Sequence, residues 1–242
     1  MSYLYVDGCS FTWGAGLDNP KNESWAIHLG SRLELPVKNC SYNGQGNDEM
    51  FRKVYELFYF NKPLPSIIVI QLSELTRVKI YDDVKMKWSS ASFASWDLPK
   101  ESRDTYFKYY YSVYQNLYYL FVQILLLKDK CDSLGIKFYV FDGICDINLH
   151  NLKWIKDHFD KKILMDMFGV IKDKNFLLYS GDYSWNMINS IEEDFTEGHK
   201  LFWKDRSGQP KKGEWILGCG HPTVDSHEFM ANELYNFIKE SR

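Results

Sequence analysis

The stretch YLYVDGCSFTWGAG, residues 3–16, decides how the rest of the chain is read. Tyr3, Leu4, Tyr5 and Val6 run into Asp7, Gly8 and Cys9, and Ser10 follows. An apolar run that stops at a small polar cluster reads as a strand ending in a turn. Ser10 then has two readings. It closes the turn, as small polar residues do, or it presents a hydroxyl nucleophile at a strand end. A nucleophile needs a base within hydrogen-bond reach and donors for the developing oxyanion. The choice therefore rests on what the other strand ends carry.

Working outward, SWAIHLGSRLEL (24–35) spaces Trp25, Ile27, Leu29, Leu33 and Leu35 as a helix does, and PVKNC (36–40) follows as a second strand. NDEMFRKVYELFYF (47–60) predicts a helix with Asn47 and Asp48 in its capping zone. PSIIVIQL (65–72) is β-branched and continuous, the pattern of a strand covered on both faces. Residues 104–135 predict one long helix ending at Gly135, and IKFYVFDG (136–143) a fourth strand. A charged helix over 151–169, a fifth strand at NFLLYS (175–180) and a closing helix after His221 complete the order. Strands alternating with helices imply a three-layer αβα sandwich around a mainly parallel five-stranded sheet. Without an internal repeat or a Pro/Gly-rich linker, residues 1–242 read as one domain, with loop insertions near 81–103 and 181–215. In such sheets ligands bind beyond the carboxyl ends of the strands. Ser10, the YNGQGND turn and the SELTR turn all fall just there.

Charge and cysteines narrow the function classes. Lys and Arg number 29 against 32 Asp and Glu, and no basic stripe occurs, which argues against nucleic-acid partners. The apolar stretch LYYLFVQILLL (117–127) is too short to span a bilayer. MSYLYVDG enters a strand directly and carries no signal-peptide pattern, so the expected location is the cytoplasm, or a host-cell cytoplasm. Five irregularly spaced cysteines read as free thiols. With neither CxxC nor HExxH spacing, no metal and no cofactor is expected, and a cluster of Asp7, Cys9, Cys219 and His221 is a remote alternative. Aromatic residues make up 17% of the chain, enough that some must sit partly exposed, as rings lining a binding surface do. Trp88 to Trp96 and Trp185 to Trp203 mark two loops that would wall a substrate.

Three segments belong together: DGCSFTWG with its hydroxyl, SYNGQGND with a glycine-rich turn entering a helix, and GCGHPTVDSHEFMANEL with His221 ahead of the last helix. In that order they resemble the SGNH, or GDSL-like, hydrolases, in the divergent and often phage-associated branch, which allows association with a virion. The resemblance runs through the whole chain and implies a flavodoxin-like sandwich. It implies Ser10 as nucleophile, His221 as base, and the backbone N–H groups of Ser10 and Gly44 as oxyanion donors. Two family positions are not met. The asparagine block falls on QLSELTR, where Ser73 is the stand-in and Gln71 or Leu75 are alternative alignments; the acid position three residues before the histidine is Gly218. The aspartate that usually precedes the serine is Cys9. Alternation at a strand end turns Cys9 under the turn while Ser10 opens to a cleft. Asp225 reads as a cap or first-turn residue of the last helix, with orientation of His221 as its rival role; His227 and His28 read as structural. The resemblance implies a serine ester hydrolase of weak activity on small-molecule or glycan esters. The alternative is a silent binding or structural accessory module on the same scaffold. The oligomeric state has no signature in the sequence.

Overall fold

The computed structural model describes residues 2–60, 63–83, 86–91, 99–141, 161–172, 176–177 and 221–240. Strand β1 (Leu4–Asp7) leads through short helices α1 (Ser10–Trp13) and α2 (Pro20–Glu23) to α3 (Trp25–Leu33) and β2 (Val37–Asn39). Helix α4 (Asn47–Phe60) precedes β3 (Ile67–Gln71). Strands β4 (Val78–Asp82) and β5 (Lys87–Ala91) come next, then α5 (Lys100–Tyr109), α6 (Val113–Ser133) and β6 (Lys137–Phe141). Helix α7 (Lys161–Lys172), β7 (Phe176–Leu177) and α8 (Val224–Glu240) complete the described elements. The sheet runs β2-β1-β3-β6-β7 with every pairing parallel, as the alternation of strands and helices requires. The fifth strand is described over two residues, opposite Val140 and Phe141.

Strand alternation sorts the core into two faces. Leu4, Val6, Ile67, Val69, Tyr139 and Phe141 point to one face, where α3 and α8 cover them with Trp25, Leu29, Met230 and Leu234. Tyr5, Ile68, Ile70, Phe138 and Val140 point to the other, under α4, α6 and α7. Both faces are buried, which is why β3 reads as an unbroken apolar run. Among the described residues no helix is long and apolar enough to cross a membrane.

Two expectations are corrected. The helix drawn over 104–135 is two helices, broken at Tyr110–Ser112. The Ser112 hydroxyl accepts the Gln115 N–H at 3.2 Å and starts α6 afresh. Ser-x-x-Gln is a helix-start pattern buried in a run of tyrosines whose own propensities mark no boundary. The start of the 81–103 loop instead belongs to an antiparallel hairpin, with Val78 opposite Ala91 and Tyr81 opposite Trp88. The alternation of Val78 and Ile80 with Lys79 and Tyr81 begins before that loop's expected boundary. The hairpin is tied to α4 where the Lys79 N–H donates to Asp48 Oδ2 at 2.9 Å and Lys79 Nζ lies 3.3 Å from Glu49 Oε2. Residues 92–98 and the second expected insertion, 181–215, lie outside the described residues.

Candidate active site

Parallel strands put all their carboxyl ends at one edge, and the turn carrying Ser10 is built there. The Cys9 carbonyl accepts the N–H groups of Thr12 and Trp13, each at 3.0 Å. The Ser10 carbonyl accepts those of Gly14 and Ala15 at 3.0 and 2.9 Å. Gly14 closes the turn at φ 84°, a conformation that glycine adopts freely. Gly8 is needed for space, since a Cβ there would meet Thr12 Oγ1 at 2.0 Å. Thr12 is tied to both neighbouring strands. Its hydroxyl donates to Gln71 Oε1, and its carbonyl accepts Asn39 Nδ2 at 3.1 Å.

Cys9 is fully buried in the core beneath this turn. Burial pushes its thiol up, the guanidinium of Arg77 acting in the opposite sense. That leaves an inert packing thiol, as alternation predicts. Ser10 is 7% exposed, more enclosed than the open cleft expected.

His221 lies at the same edge. Its ring centroid is 5.0 Å from that of Phe11, the residue after Ser10. Pro222 behind it is buried, and the Thr223 hydroxyl accepts the Ser226 N–H at 3.4 Å at the start of α8. Thr223 thus takes the capping position, while Asp225 is exposed in the first turn. His227 is completely buried and accepts the Trp25 N–H on Nδ1 at 3.1 Å, which clamps α8 to α3. Burial, with His28 and His221 nearby, pushes its pKa down to about 3.

The glycine turn enters α4. Gly44 is exposed at φ 75°, with no atom within 4 Å of where a Cβ would stand. Gly46 packs on the Arg77 carbonyl, which a Cβ would meet at 2.4 Å. The Ser73 N–H donates to Asn47 Oδ1 at 2.7 Å, and the Ser73 carbonyl accepts Asn47 Nδ2 at 2.9 Å. The Ser73 backbone donor is therefore engaged, whereas its buried hydroxyl has no hydrogen-bond partner among the described residues. Gln71 keeps a buried Nε2 without a partner among the described residues. Leu75 offers an apolar side chain packed against the core.

A buried carboxyl at this edge has a role the sequence reading did not assign to it. Asp7 accepts Gly8 N–H at 2.9 Å and Gln45 Nε2 at 2.8 Å on Oδ1, and Tyr5 OH at 3.1 Å on Oδ2. Lys53 Nζ stands 3.7 Å from Asp7 Oδ1 and donates to Gln45 Oε1 at 2.9 Å. Burial raises the Asp7 carboxyl to about 6, against the downward pull of Lys53 and the three donors. A carboxylate ending an otherwise apolar strand was the available signal. Among the described residues no group of three or more His, Cys, Asp or Glu could hold a metal ion. Gly218, Cys219, Trp96, Trp185 and Trp203 lie outside the described residues.

No protein-family model and no curated protein matches the chain. Solved structures do. The psychrotrophic esterase EstA from Pseudoalteromonas sp. superposes with a TM-score of 0.51 at 11% identity, covering 99% of this chain and 98% of the other. A carbohydrate esterase family 2 enzyme with a carbohydrate-binding domain, from Corynascus thermopiles (Myceliophthora fergusii), gives 0.51 at 9% identity, covering 99% and 66%. A GDSL-like lipase from Bacteroides thetaiotaomicron gives 0.45 at 12% identity, covering 100% and 89%. The serine turn follows β1, the glycine turn follows β2 and the histidine precedes the last helix on an all-parallel sheet, and the chain carries the fold of the SGNH, or GDSL-like, hydrolases.

Proposed function

We infer that the chain is a serine ester hydrolase in which Ser10 attacks the ester carbonyl and His221 takes its proton. The carrying observation is the 5.0 Å packing of the His221 ring on Phe11, which puts an imidazole beside the serine turn at the carboxyl edge. His221 then protonates the leaving alkoxide, and water releases the acyl group by the same route in reverse. The N–H groups of Ser10 and Gly44 serve as oxyanion donors. At the asparagine position Ser73 offers only its hydroxyl, because its N–H is held by Asn47. The longer amide donor is missing there, and a lost oxyanion donor typically costs about 3 kcal/mol, so turnover is slow. The substrate class is a small-molecule or glycan ester, in keeping with fold relatives that are an esterase and a carbohydrate esterase.

The test is labelling with a fluorophosphonate, a probe suited to a fold whose relative EstA has been captured with monoethylphosphonate as inhibitor. Wild type labels, and hydrolyses p-nitrophenyl acetate slowly; Ser10→Ala and His221→Ala do neither. Folded wild type that takes no label sinks the catalytic reading. It would favour the second one, a binding module on the same scaffold, which the 7% exposure of Ser10 supports.

A further inference from the structure

The glycine turn is gripped at two residues that follow its apex, towards two different strands. On the far side, Asn47 exchanges two hydrogen bonds with the Ser73 backbone beyond β3. On the near side, Gln45 reaches back to the end of β1. Its Nε2 donates to Asp7 Oδ1 at 2.8 Å, while Lys53 Nζ, also bound to the Cys40 carbonyl at 2.7 Å, holds its Oε1 at 2.9 Å. Gln45 and Asp7 are both fully buried. Gly44, just ahead of both grips, has no neighbour of its own within Cβ reach. Its position is therefore set by what holds residues 45 and 47.

The near grip bridges the two groups that the proposed reaction must align. Asp7 stands three residues before Ser10, and Gln45 adjoins Gly44. Burying a carboxylate here costs stability that an apolar side chain would not. The carboxylate instead gathers Gly8, Gln45 and Tyr5 around one group.

We propose that Gln45, held by Asp7 and Lys53, is a positioning residue that fixes the Gly44 turn at the right distance from Ser10, a role that rests on the ester-hydrolase reading above. Gln45 touches no reacting atom. It acts by denying the turn alternative positions, so its loss moves the Gly44 N–H away from the developing oxyanion without removing the donor.

The test is Gln45→Met, which keeps the length and loses both hydrogen bonds, with Asp7→Asn as a second variant. Both are followed by p-nitrophenyl acetate kinetics, fluorophosphonate labelling, amide hydrogen exchange and urea midpoints. A misplacement of about 1 Å costs about 10²-fold in rate. Gln45→Met is expected to lower kcat by about that factor and leave KM within about twofold. Exchange should quicken at residues 43–46 and not in the sheet. Unchanged kcat in a folded variant overturns the proposal, and so does a fall no larger than the unfolded fraction accounts for. Wild type that neither labels nor hydrolyses sinks the Ser10 reading itself. Exchange then decides the clamp alone: faster amides confined to 43–46 uphold it, and unaltered amides refute it.

Discussion

Asp7 and His227 are buried ionisable groups on opposite faces of the sheet, and their shifts oppose each other in sign. Asp7 is raised from 3.8 to about 6, so between those values the folded chain holds a proton that the unfolded chain has lost. Stability therefore falls as pH rises through that window. His227 is lowered from 6.5 to about 3, so there the unfolded chain takes up a proton that the folded one refuses, and stability falls as pH drops. The windows overlap between 3.8 and about 6, and wild type should have a nearly flat profile there. Asp7→Asn unmasks the histidine, and the unfolding free energy from urea titrations should decline towards acid by up to about 1.4 kcal/mol per pH unit. His227→Gln, which keeps an acceptor for the Trp25 N–H, should tilt the profile the other way. Profiles for both variants parallel to wild type would show that neither group titrates as its burial requires. Cys9 makes a simpler case. As a buried thiol pushed up by burial, it should resist thiol reagents in native buffer, and Cys9→Ala should keep the fluorophosphonate label. Loss of label in folded Cys9→Ala would make the sulfur, not Ser10, the nucleophile.

At the scale of elements, the serine turn depends on absent side chains as much as on present ones. Gly8→Ala would drive a Cβ to 2.0 Å from Thr12 Oγ1 and strain the link from Thr12 to Gln71. Overpacking of this kind costs about 1–3 kcal/mol, and here it should also abolish labelling of Ser10. Ser112→Ala removes the cap of α6 and should cost about 1 kcal/mol, read as a lower urea midpoint. A variant as stable as wild type would mean that Tyr110–Ser112 breaks the helix for another reason. The two elements also mark what a sequence can disclose. The apolar run of β3 and the 3.6-residue spacing of α3 and α4 are local patterns, and they are legible in local residues. The occupancy of the Ser73 N–H is not, because its partner Asn47 lies 26 residues away and is chosen by how α4 meets β3. The same holds for Asp7, whose meaning depends on Gln45 and Lys53 from two later segments. Ser10, Gly44 and His221 could be singled out as candidates because the resemblance rests on motifs beside element boundaries, where residue type and position are linked.

On the scale of the whole molecule, one face of the sheet is closed by helices from opposite ends of the sequence, α3 and α8. Leu234→Ala, in the middle of that contact, should cost about 2–5 kcal/mol. Because α8 also carries the approach to His221, the labelling rate should fall further than the unfolded fraction explains. Equal falls would mean that the histidine is placed independently of the helix. The seam has a consequence during synthesis. Ser10 leaves the ribosome 211 residues before His221, about 10–40 s at ordinary elongation rates. Leu4 and Val6, joined later by Ile67 and Val69, wait through that interval without the cover of α8. The nascent chain should therefore bind a hydrophobic dye and lean on chaperones until its last helix docks. A ribosome-bound chain stopped before residue 221 should show this, and release of the full chain should end it.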